Sequence, residues 1–291
     1  MILALRAGAT MLVTTNGNCC IHAVMKSGPV SPGRMPLAAI LLAAGALLWW
    51  WRAHTVPEAD PSAPVSLIVP DARVIKTRES IQVGGKTRNY VLTRPATLEP
   101  EATYPLLVGF HGYRGEVKAW FHEYTAFDRF VADRKFIIAY PEGPLAWEAR
   151  SNGRDLPFFD ALVAELQKSL PVDSARIHVV GHSNGANFAT FLLAARADVI
   201  ASGAVQAGAH LPPAGTPSSY RPPLLLMWGE LDGATKAVES VAKEYRLAGF
   251  TVEPSIFSKL GHSWGGPTYQ EEEKALDFFR THPFSNGTPA R

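Results

Sequence analysis

Residues 176–185 decide the fold and read R-I-H-V-V-G-H-S-N-G. The run R-I-H-V-V is typical of a strand, and a helical pattern follows Ser183, with Phe188, Leu192 and Ala195 on one stripe. Gly-x-Ser-x-Gly alone also fits an ordinary turn, because Gly and Ser are common turn residues. A sharp strand-to-helix turn needs glycine on both sides, and it presents the serine beside a helix N-terminus. We therefore predict a nucleophile elbow centred on Ser183.

A serine nucleophile needs a base, and the base needs a carboxylate that orients it. In chains with such an elbow the carboxylate follows the serine and the histidine comes last. After Ser183 the first well-placed carboxylate is Asp232, just beyond the apolar run L-L-L-M-W at 224–228. Glu230 is the local competitor for this role. We expect Asp232 to be the orienting carboxylate.

Three histidines follow Ser183 in the chain, namely His210, His262 and His282. Only His262 comes after Asp232 in a glycine-flanked loop beyond a strand pattern, K-L-G-H-S-W-G-G. His282 lies after the final helix pattern. We expect His262 to be the base, whereas the other two fit ordinary surface or core histidines.

Acyl transfer also needs hydrogen-bond donors for the oxyanion of the tetrahedral intermediate. The segment L-L-V-G-F-H-G-Y-R-G at 106–115 places a loop directly after an early strand. We expect the backbone amides of Tyr113 and Asn184 to form the oxyanion hole, with His111 and Gly112 shaping the loop. Taken alone, the segment also fits a strand that ends in an ordinary glycine turn.

From about residue 73 onward, short β-rich runs alternate with amphipathic stretches, a pattern that predicts a mainly parallel sheet flanked by helices. One helix is predicted from Asp155, a plausible N-cap, with a stripe of Phe159, Leu162, Val163 and Leu166. A last helix falls near 269–280. We predict one catalytic domain over 73–283, a polar tail over 284–291, and strands at 89–93, 106–111, 136–140, 177–181, 200–206, 224–228 and 251–257.

The N-terminal third is predicted to lie outside this domain. Residues 35–51 carry no charge and end in three tryptophans. As a helix they span roughly 25 Å, slightly short of the ~30 Å membrane core, so an uncleaved signal anchor and a signal peptide both stay open. The tryptophans favour the anchor. Residues 1–34 are then either a cytoplasmic segment or the result of a start codon assigned too far upstream. The proline-rich residues 52–72 are predicted to form an extended tether.

The charges around this segment indicate its orientation. Lys26 and Arg34 precede it, and Arg52 alone follows closely. By the positive-inside rule the N-terminus faces the cytoplasm and the catalytic domain lies outside, either in the periplasm or secreted. We expect contact with the membrane through residues 35–51.

The composition excludes other classes of protein. The net charge is +2, from 28 basic and 26 acidic residues without a basic stripe, so no nucleic-acid partner is expected. The two cysteines, Cys19 and Cys20, are adjacent and outside the predicted domain. Neighbouring cysteines make poor structural bridges, so no structural disulfide is expected. No metal or organic cofactor is expected either, and the oligomeric state is left open.

Four segments carry a resemblance to a known family. They are V-D-S-A-R-I-H-V-V-G-H-S-N-G-A at 172–186, D-L-P-F-F-D-A-L at 155–162, A-D-R-K-F-I-I-A-Y-P-E-G at 132–143 and G-H-S-W at 261–264. Together they resemble the secreted polyhydroxybutyrate depolymerases and the feruloyl or acetylxylan esterases. The likeness covers roughly residues 80–280.

The resemblance implies an α/β-hydrolase fold and the same Ser183, Asp232 and His262 triad. It also implies as substrate a carboxylic ester of a hydroxy acid, an aromatic acid or acetate. The predicted domain lacks the cysteines common in that family, and the chain shows no polymer-binding domain, which favours a soluble ester. A peptidase or thioesterase on the same scaffold stays open, as does a non-catalytic binding module.

Residues 35–51 give the first testable prediction. Because this run is apolar and ends in tryptophans, the full-length protein should stay with the membrane fraction after a carbonate wash. Immunoblotting of the washed membranes measures this. A released mature form that begins after Trp51 would instead show a cleaved signal peptide.

Overall fold

The computed structural model describes residues 3–5, 9–11, 71–113, 121–143, 145–212, 220–233, 235–264 and 268–284. The chain divides into two compact units, Met1–Leu67 and Ile68–Arg291. In the first unit, the strands Leu3–Leu5 and Ala9–Met11 pair antiparallel. The predicted membrane or signal segment at 35–51 lies outside the described residues. Among the residues that are described, no helix has the length and apolar character needed to cross a membrane.

The described residues of the second unit contain eight strands, numbered within this unit as β1 (Val74–Val83), β2 (Lys86–Pro95), β3 (Tyr104–Phe110), β4 (Ile137–Pro141), β5 (Val172–His182), β6 (Ser202–Gln206), β7 (Leu224–Gly229) and β8 (Val252–Phe257). They form one sheet with the order β8-β7-β6-β5-β3-β4-β2-β1. Strand β2 is antiparallel to β1 and to β4, and the remaining neighbours are parallel. This confirms the predicted mainly parallel sheet.

The central strands read as apolar runs because both of their faces are covered. Every residue of β4, β6 and β7 is buried. Strand β1 was not predicted, and its sequence V-I-K-T-R-E-S-I-Q-V explains why. It lies at the edge of the sheet, where its many polar side chains stay exposed and give no apolar run.

Helices cover both faces of the sheet. The described helices are α1 (Phe121–Tyr124), α2 (Val131–Arg134), α3 (Asp155–Ser169), α4 (Asn184–Ala195), α5 (Thr235–Leu247) and α6 (Gln270–Thr281), with a 3₁₀ turn at Phe127–Phe130. Helices α3, α4 and α5 pack on one face with Leu106, Val108 and Val179, whereas α1, α2 and α6 pack on the other with Leu107 and Val180.

The prediction that Asp155 caps helix α3 is wrong. Arg154 occupies the N-cap position, and Asp155 is the first helical residue. The Asp155 carboxylate is fully buried and accepts hydrogen bonds from the Arg88 guanidinium at 2.8 Å and from the Glu148 amide at 2.9 Å. A buried carboxylate must be paired, so these long-range partners take precedence over local capping.

Candidate active site

Ser183 lies at the carboxyl edge of the sheet, between the last residue of β5 and the first residue of α4. Its backbone has φ 54° and ψ −114°, a conformation that a residue with a Cβ rarely adopts. The surrounding chain holds it there. The Ser183 amide donates to the Gln206 carbonyl at 2.9 Å, and the Ser183 carbonyl accepts from the Asn187 amide at 3.1 Å.

The two glycines that flank Ser183 permit a very close approach of backbones. A Cβ on Gly181 would lie 2.4 Å from the Gly185 carbonyl oxygen. A Cβ on Gly185 would lie 2.2 Å from the carbonyl oxygen of Phe110, the last residue of β3. Backbone atoms cannot move aside as a flexible side chain can. Both positions therefore require glycine for space rather than for backbone rotation.

The structure brings the three predicted side chains of Ser183, His262 and Asp232 together. His262 Nε2 lies 2.9 Å from Ser183 Oγ, and His262 Nδ1 lies 2.9 Å from Asp232 Oδ2. A carboxylate can only accept a hydrogen bond, so Nδ1 carries the proton and Nε2 is left to accept from the serine hydroxyl. This arrangement can remove the Ser183 proton and stabilise the imidazolium that forms.

The two carboxylates that competed in the sequence have different positions. Asp232 is buried and contacts His262. Glu230 is exposed, and its Oε2 accepts from the Ser258 hydroxyl at 2.8 Å and from the Lys259 amide at 3.2 Å. The Ser258 hydrogen bond, and then that of Lys259, hold the pKa of Glu230 below its ordinary value. Glu230 therefore stabilises the turn that leads into the histidine loop, which we define as residues 260–264.

The other two histidines after Ser183 are bound elsewhere. His210 Nδ1 lies 2.8 Å from the Leu211 carbonyl oxygen. His282 follows α6, and its Nδ1 lies 2.8 Å from the Phe278 carbonyl oxygen. Of the three, His262 is the one whose ring reaches the Ser183 hydroxyl among the described contacts.

The predicted oxyanion loop, residues 111–113 and called the oxyanion loop below, lies directly beside Ser183. A Cβ on Gly112 would lie 3.4 Å from Ser183 Cβ and 3.2 Å from His182 Nδ1. The Gly112 amide donates to the Tyr124 hydroxyl at 2.9 Å, which fixes the loop from the α1 side. The Tyr113 amide follows in this loop, and Asn184 opens α4, whose first amides have no acceptor within the helix. Both predicted oxyanion donors therefore belong to segments adjacent to Ser183.

His111 holds this loop in place from inside the protein. It is fully buried, and its Nδ1 donates to the Gly112 carbonyl at 2.7 Å while its Nε2 accepts from the Gly143 amide at 3.2 Å. Its own carbonyl accepts from the Trp147 indole at 3.0 Å. Both ring nitrogens are thus engaged in holding the loop, as expected for a residue that shapes the site.

His182 packs beside His262, the predicted base. Its ring centroid is 5.5 Å from that of His262, and its Nε2 is buried without a partner among the described residues. Burial, together with the nearby His262, lowers the pKa of His182 to about 3. His182 therefore stays neutral near pH 7 and places no second positive charge beside His262 when that ring takes up a proton.

Two further contacts were not predicted from the sequence. The Asn184 side-chain oxygen accepts from the Trp147 amide at 2.6 Å, which ties the loop after β4 to the elbow. Gln206, at the end of β6, donates to the Ser263 carbonyl at 2.7 Å and fixes the histidine loop. Within the described residues, no group of three or more His, Cys, Asp or Glu side chains could hold a metal ion.

Comparison with known sequences points to esterases. Over 125 residues, 40% of this chain and 44% of its relative, the chain is 29% identical to feruloyl esterase C of Emericella nidulans. Over 139 residues, 44% of this chain and 48% of its relative, it is 24% identical to feruloyl esterase D of Neurospora crassa. The match thus spans about half the length of these curated relatives. No protein-family model matches the chain.

Comparison with solved structures identifies the fold. The chain superposes on S-formylglutathione hydrolase of Staphylococcus aureus with a TM-score of 0.56 and 13% sequence identity. The superposition covers 72% of this chain and 99% of that protein. The chain therefore has an α/β-hydrolase fold, as the sequence predicted.

The different positions of Asp232 and Glu230 give a prediction for two nearly isosteric variants. Asp232→Asn should lower kcat by about 10³- to 10⁴-fold, because an amide no longer holds His262 in the reactive tautomer or stabilises its cation. Glu230→Gln should keep kcat within about threefold, since the Gln oxygen still accepts from Ser258 and Lys259. Ester hydrolysis measures both variants, and circular dichroism verifies their folding. An inactive Glu230→Gln beside an active Asp232→Asn would exchange the roles of the two carboxylates.

Proposed function

We propose that this protein is a serine esterase that hydrolyses carboxylic esters through an acyl-enzyme, with Ser183, His262 and Asp232 as its triad. The observation that carries the proposal is the continuous hydrogen-bonded chain of these side chains, with 2.9 Å at each link. The three residues follow three different strands of the sheet, β5, β7 and β8. The sequence similarity to two feruloyl esterases supports ester hydrolysis as the reaction.

In the first step His262 Nε2 takes the proton of the Ser183 hydroxyl as Oγ attacks the ester carbonyl carbon. The carbonyl oxygen becomes an oxyanion, which the amides of Tyr113 and Asn184 and the N-terminus of α4 stabilise. Asp232 stabilises the imidazolium through Nδ1. The imidazolium then donates its proton to the leaving alcohol oxygen, the bond from carbon to that oxygen breaks, and the acyl group remains on Ser183.

In the second step water replaces the alcohol. His262 takes a proton from the water as its oxygen attacks the acyl-enzyme, and the same amides stabilise the second oxyanion. The proton then returns to Ser183 Oγ as the acid leaves. Half of the His262 side chain is exposed, which leaves the ring accessible to water.

Exposed apolar side chains near the predicted site favour a substrate ester with an aromatic or other apolar group. Six large apolar side chains are exposed among the described residues, and four of them follow the carboxyl ends of parallel strands. These four are Tyr113 after β3, Leu145 after β4, Leu211 after β6 and Leu231 after β7. Carboxyl ends of parallel strands share one edge of a sheet, and Ser183 lies at the same edge. An acyl or alcohol group that extends along this edge from Ser183 would contact side chains of this set.

Two other functions compete with ester hydrolysis. The same triad can cleave thioesters or peptides, so the type of bond is open to direct test. A non-catalytic binding module is disfavoured by the unfavourable backbone of Ser183, because a binding role has no use for a strained residue joined to a histidine and a carboxylate.

We also propose that the catalytic unit works outside the cytoplasm. This part of the proposal is based on the sequence of residues 35–51, and the carbonate wash described above tests their association with the membrane.

The nucleophile and the bond type can be tested together. The wild-type protein should hydrolyse p-nitrophenyl esters and react covalently with a fluorophosphonate probe. Ser183→Ala should lose labelling completely and lose hydrolysis by at least about 10³-fold, since the residual rate without the nucleophile comes from the oxyanion hole and binding alone. Parallel assays with a thioester and a peptide anilide compare the three bond types.

The assays with the ester, the thioester and the peptide anilide also decide between the competing functions. Aryl and short acyl esters should give the highest kcat/KM. A preference for the thioester or the anilide would establish the alternative reaction on the same triad. Undiminished labelling of folded Ser183→Ala would exclude Ser183 as the nucleophile, and an unreactive wild-type protein would favour the binding module.

A further inference from the structure

Glu272 is a buried carboxylate outside the triad. It lies in the first turn of α6, and its side chain is completely buried. Its Oε1 accepts two hydrogen bonds, from the Trp264 indole at 2.9 Å and from the Ala126 amide at 2.8 Å. Its Oε2 is buried without a hydrogen-bond partner in the described part of the chain.

The first of these bonds reaches the histidine loop. Trp264 is two residues after His262, so the position of its indole fixes the end of that loop. The ring is buried against Phe121 and Phe127, with centroid distances of 5.3 Å and 5.8 Å. Glu272 adds a directional contact to this apolar packing, because it accepts from the indole N–H.

The second bond reaches the segment that supports the oxyanion loop. Ala126 follows Tyr124, whose hydroxyl accepts from the Gly112 amide at 2.9 Å. The Tyr124 ring also packs on His182, the residue before the nucleophile, with the ring centroids 5.7 Å apart. One carboxylate oxygen thus joins the segment that supports the oxyanion loop to the loop that carries His262.

Burial of the Glu272 carboxylate should lower the stability of the fold if the side chain serves packing alone. Burying a carboxylate is unfavourable unless it is fully hydrogen-bonded or paired with a cation. Glu272 has neither arrangement among the described residues, since Oε2 lacks a partner and both donors to Oε1 are uncharged groups. The buried position of Glu272 is better explained by the two segments that its side chain connects. These segments must keep a fixed position relative to each other around Ser183.

We propose that Glu272 is a positioning residue that holds the histidine loop and the oxyanion loop in register. It does so by accepting hydrogen bonds from Trp264 and Ala126 with a single oxygen. The proposal rests on the esterase mechanism proposed above. A small misplacement of a catalytic group can cost on the order of 10²-fold in rate, so loss of this contact should be visible in turnover.

Three variants separate the hydrogen-bond acceptor from its charge and test the bond to the histidine loop by itself. Glu272→Ala removes both hydrogen bonds, and Trp264→Phe removes the indole donor while it keeps an aromatic ring against Phe121 and Phe127. Each should lower kcat about 10- to 100-fold with KM changed less than about twofold, the pattern of lost positioning in the transition state. Glu272→Gln keeps a carbonyl oxygen for both donors and should stay within about threefold of the wild-type kcat.

A matched control separates positioning from stability. Ser202→Ala removes another buried hydrogen bond, to His178, whose ring stacks on Phe279 of α6. This variant should lower the melting temperature but leave kcat unchanged while the protein is folded. All rates are measured at least 10 °C below each melting temperature, and the rate of fluorophosphonate labelling provides a second readout.

The outcomes distinguish this inference from the proposed function. If the wild-type protein neither hydrolyses esters nor reacts with the probe, the proposed function fails. If the wild-type protein is active, three results overturn the role of Glu272. They are a kcat of folded Glu272→Ala within twofold of wild type, an equal loss in Glu272→Gln and Glu272→Ala, and an equal loss in Ser202→Ala.

Discussion

Close backbone contact at the carboxyl end of β5 is the constraint on which the site depends. Three glycines, Gly181, Gly185 and Gly208, stand where a Cβ would lie between 2.2 and 2.4 Å from a backbone carbonyl oxygen. One of those oxygens belongs to Ser183 itself, and it faces Gly208. Because the walls are backbone rather than side chain, they cannot relax by a rotamer change. This rigid environment explains how Ser183 keeps a conformation that would otherwise be unfavourable.

The histidine loop is held in a different way, by side-chain hydrogen bonds from several elements. Glu230 fixes the turn that precedes it, Gln206 holds the Ser263 carbonyl, and Glu272 holds the Trp264 indole. Such contacts define the position of His262 relative to Ser183, which the backbone has already fixed. Rigid backbone around the serine and directional hydrogen bonds around the histidine together preorganise the site.

Sequence patterns predicted the fold and the proximity of Ser183, Asp232 and His262, because the elbow is a local signal and the order of the three residues along the chain is typical of this fold. The edge strand β1 was missed because its exposed, charged side chains produce no apolar run. The role of Asp155 was mistaken because its partner Arg88 is 67 residues away, and Glu272 was missed because Ala126 is 146 residues away. Contacts of this kind depend on which elements become neighbours, and no local pattern records that.

A crystal structure of the protein after reaction with a small fluorophosphonate tests the central claim most directly, because the phosphonyl group imitates the tetrahedral intermediate. We expect continuous density from Ser183 Oγ to phosphorus. The phosphoryl oxygen should lie about 2.7–3.1 Å from the amide nitrogens of both Tyr113 and Asn184. An adduct on a different residue, or a phosphoryl oxygen directed away from both amides, would contradict the proposed site.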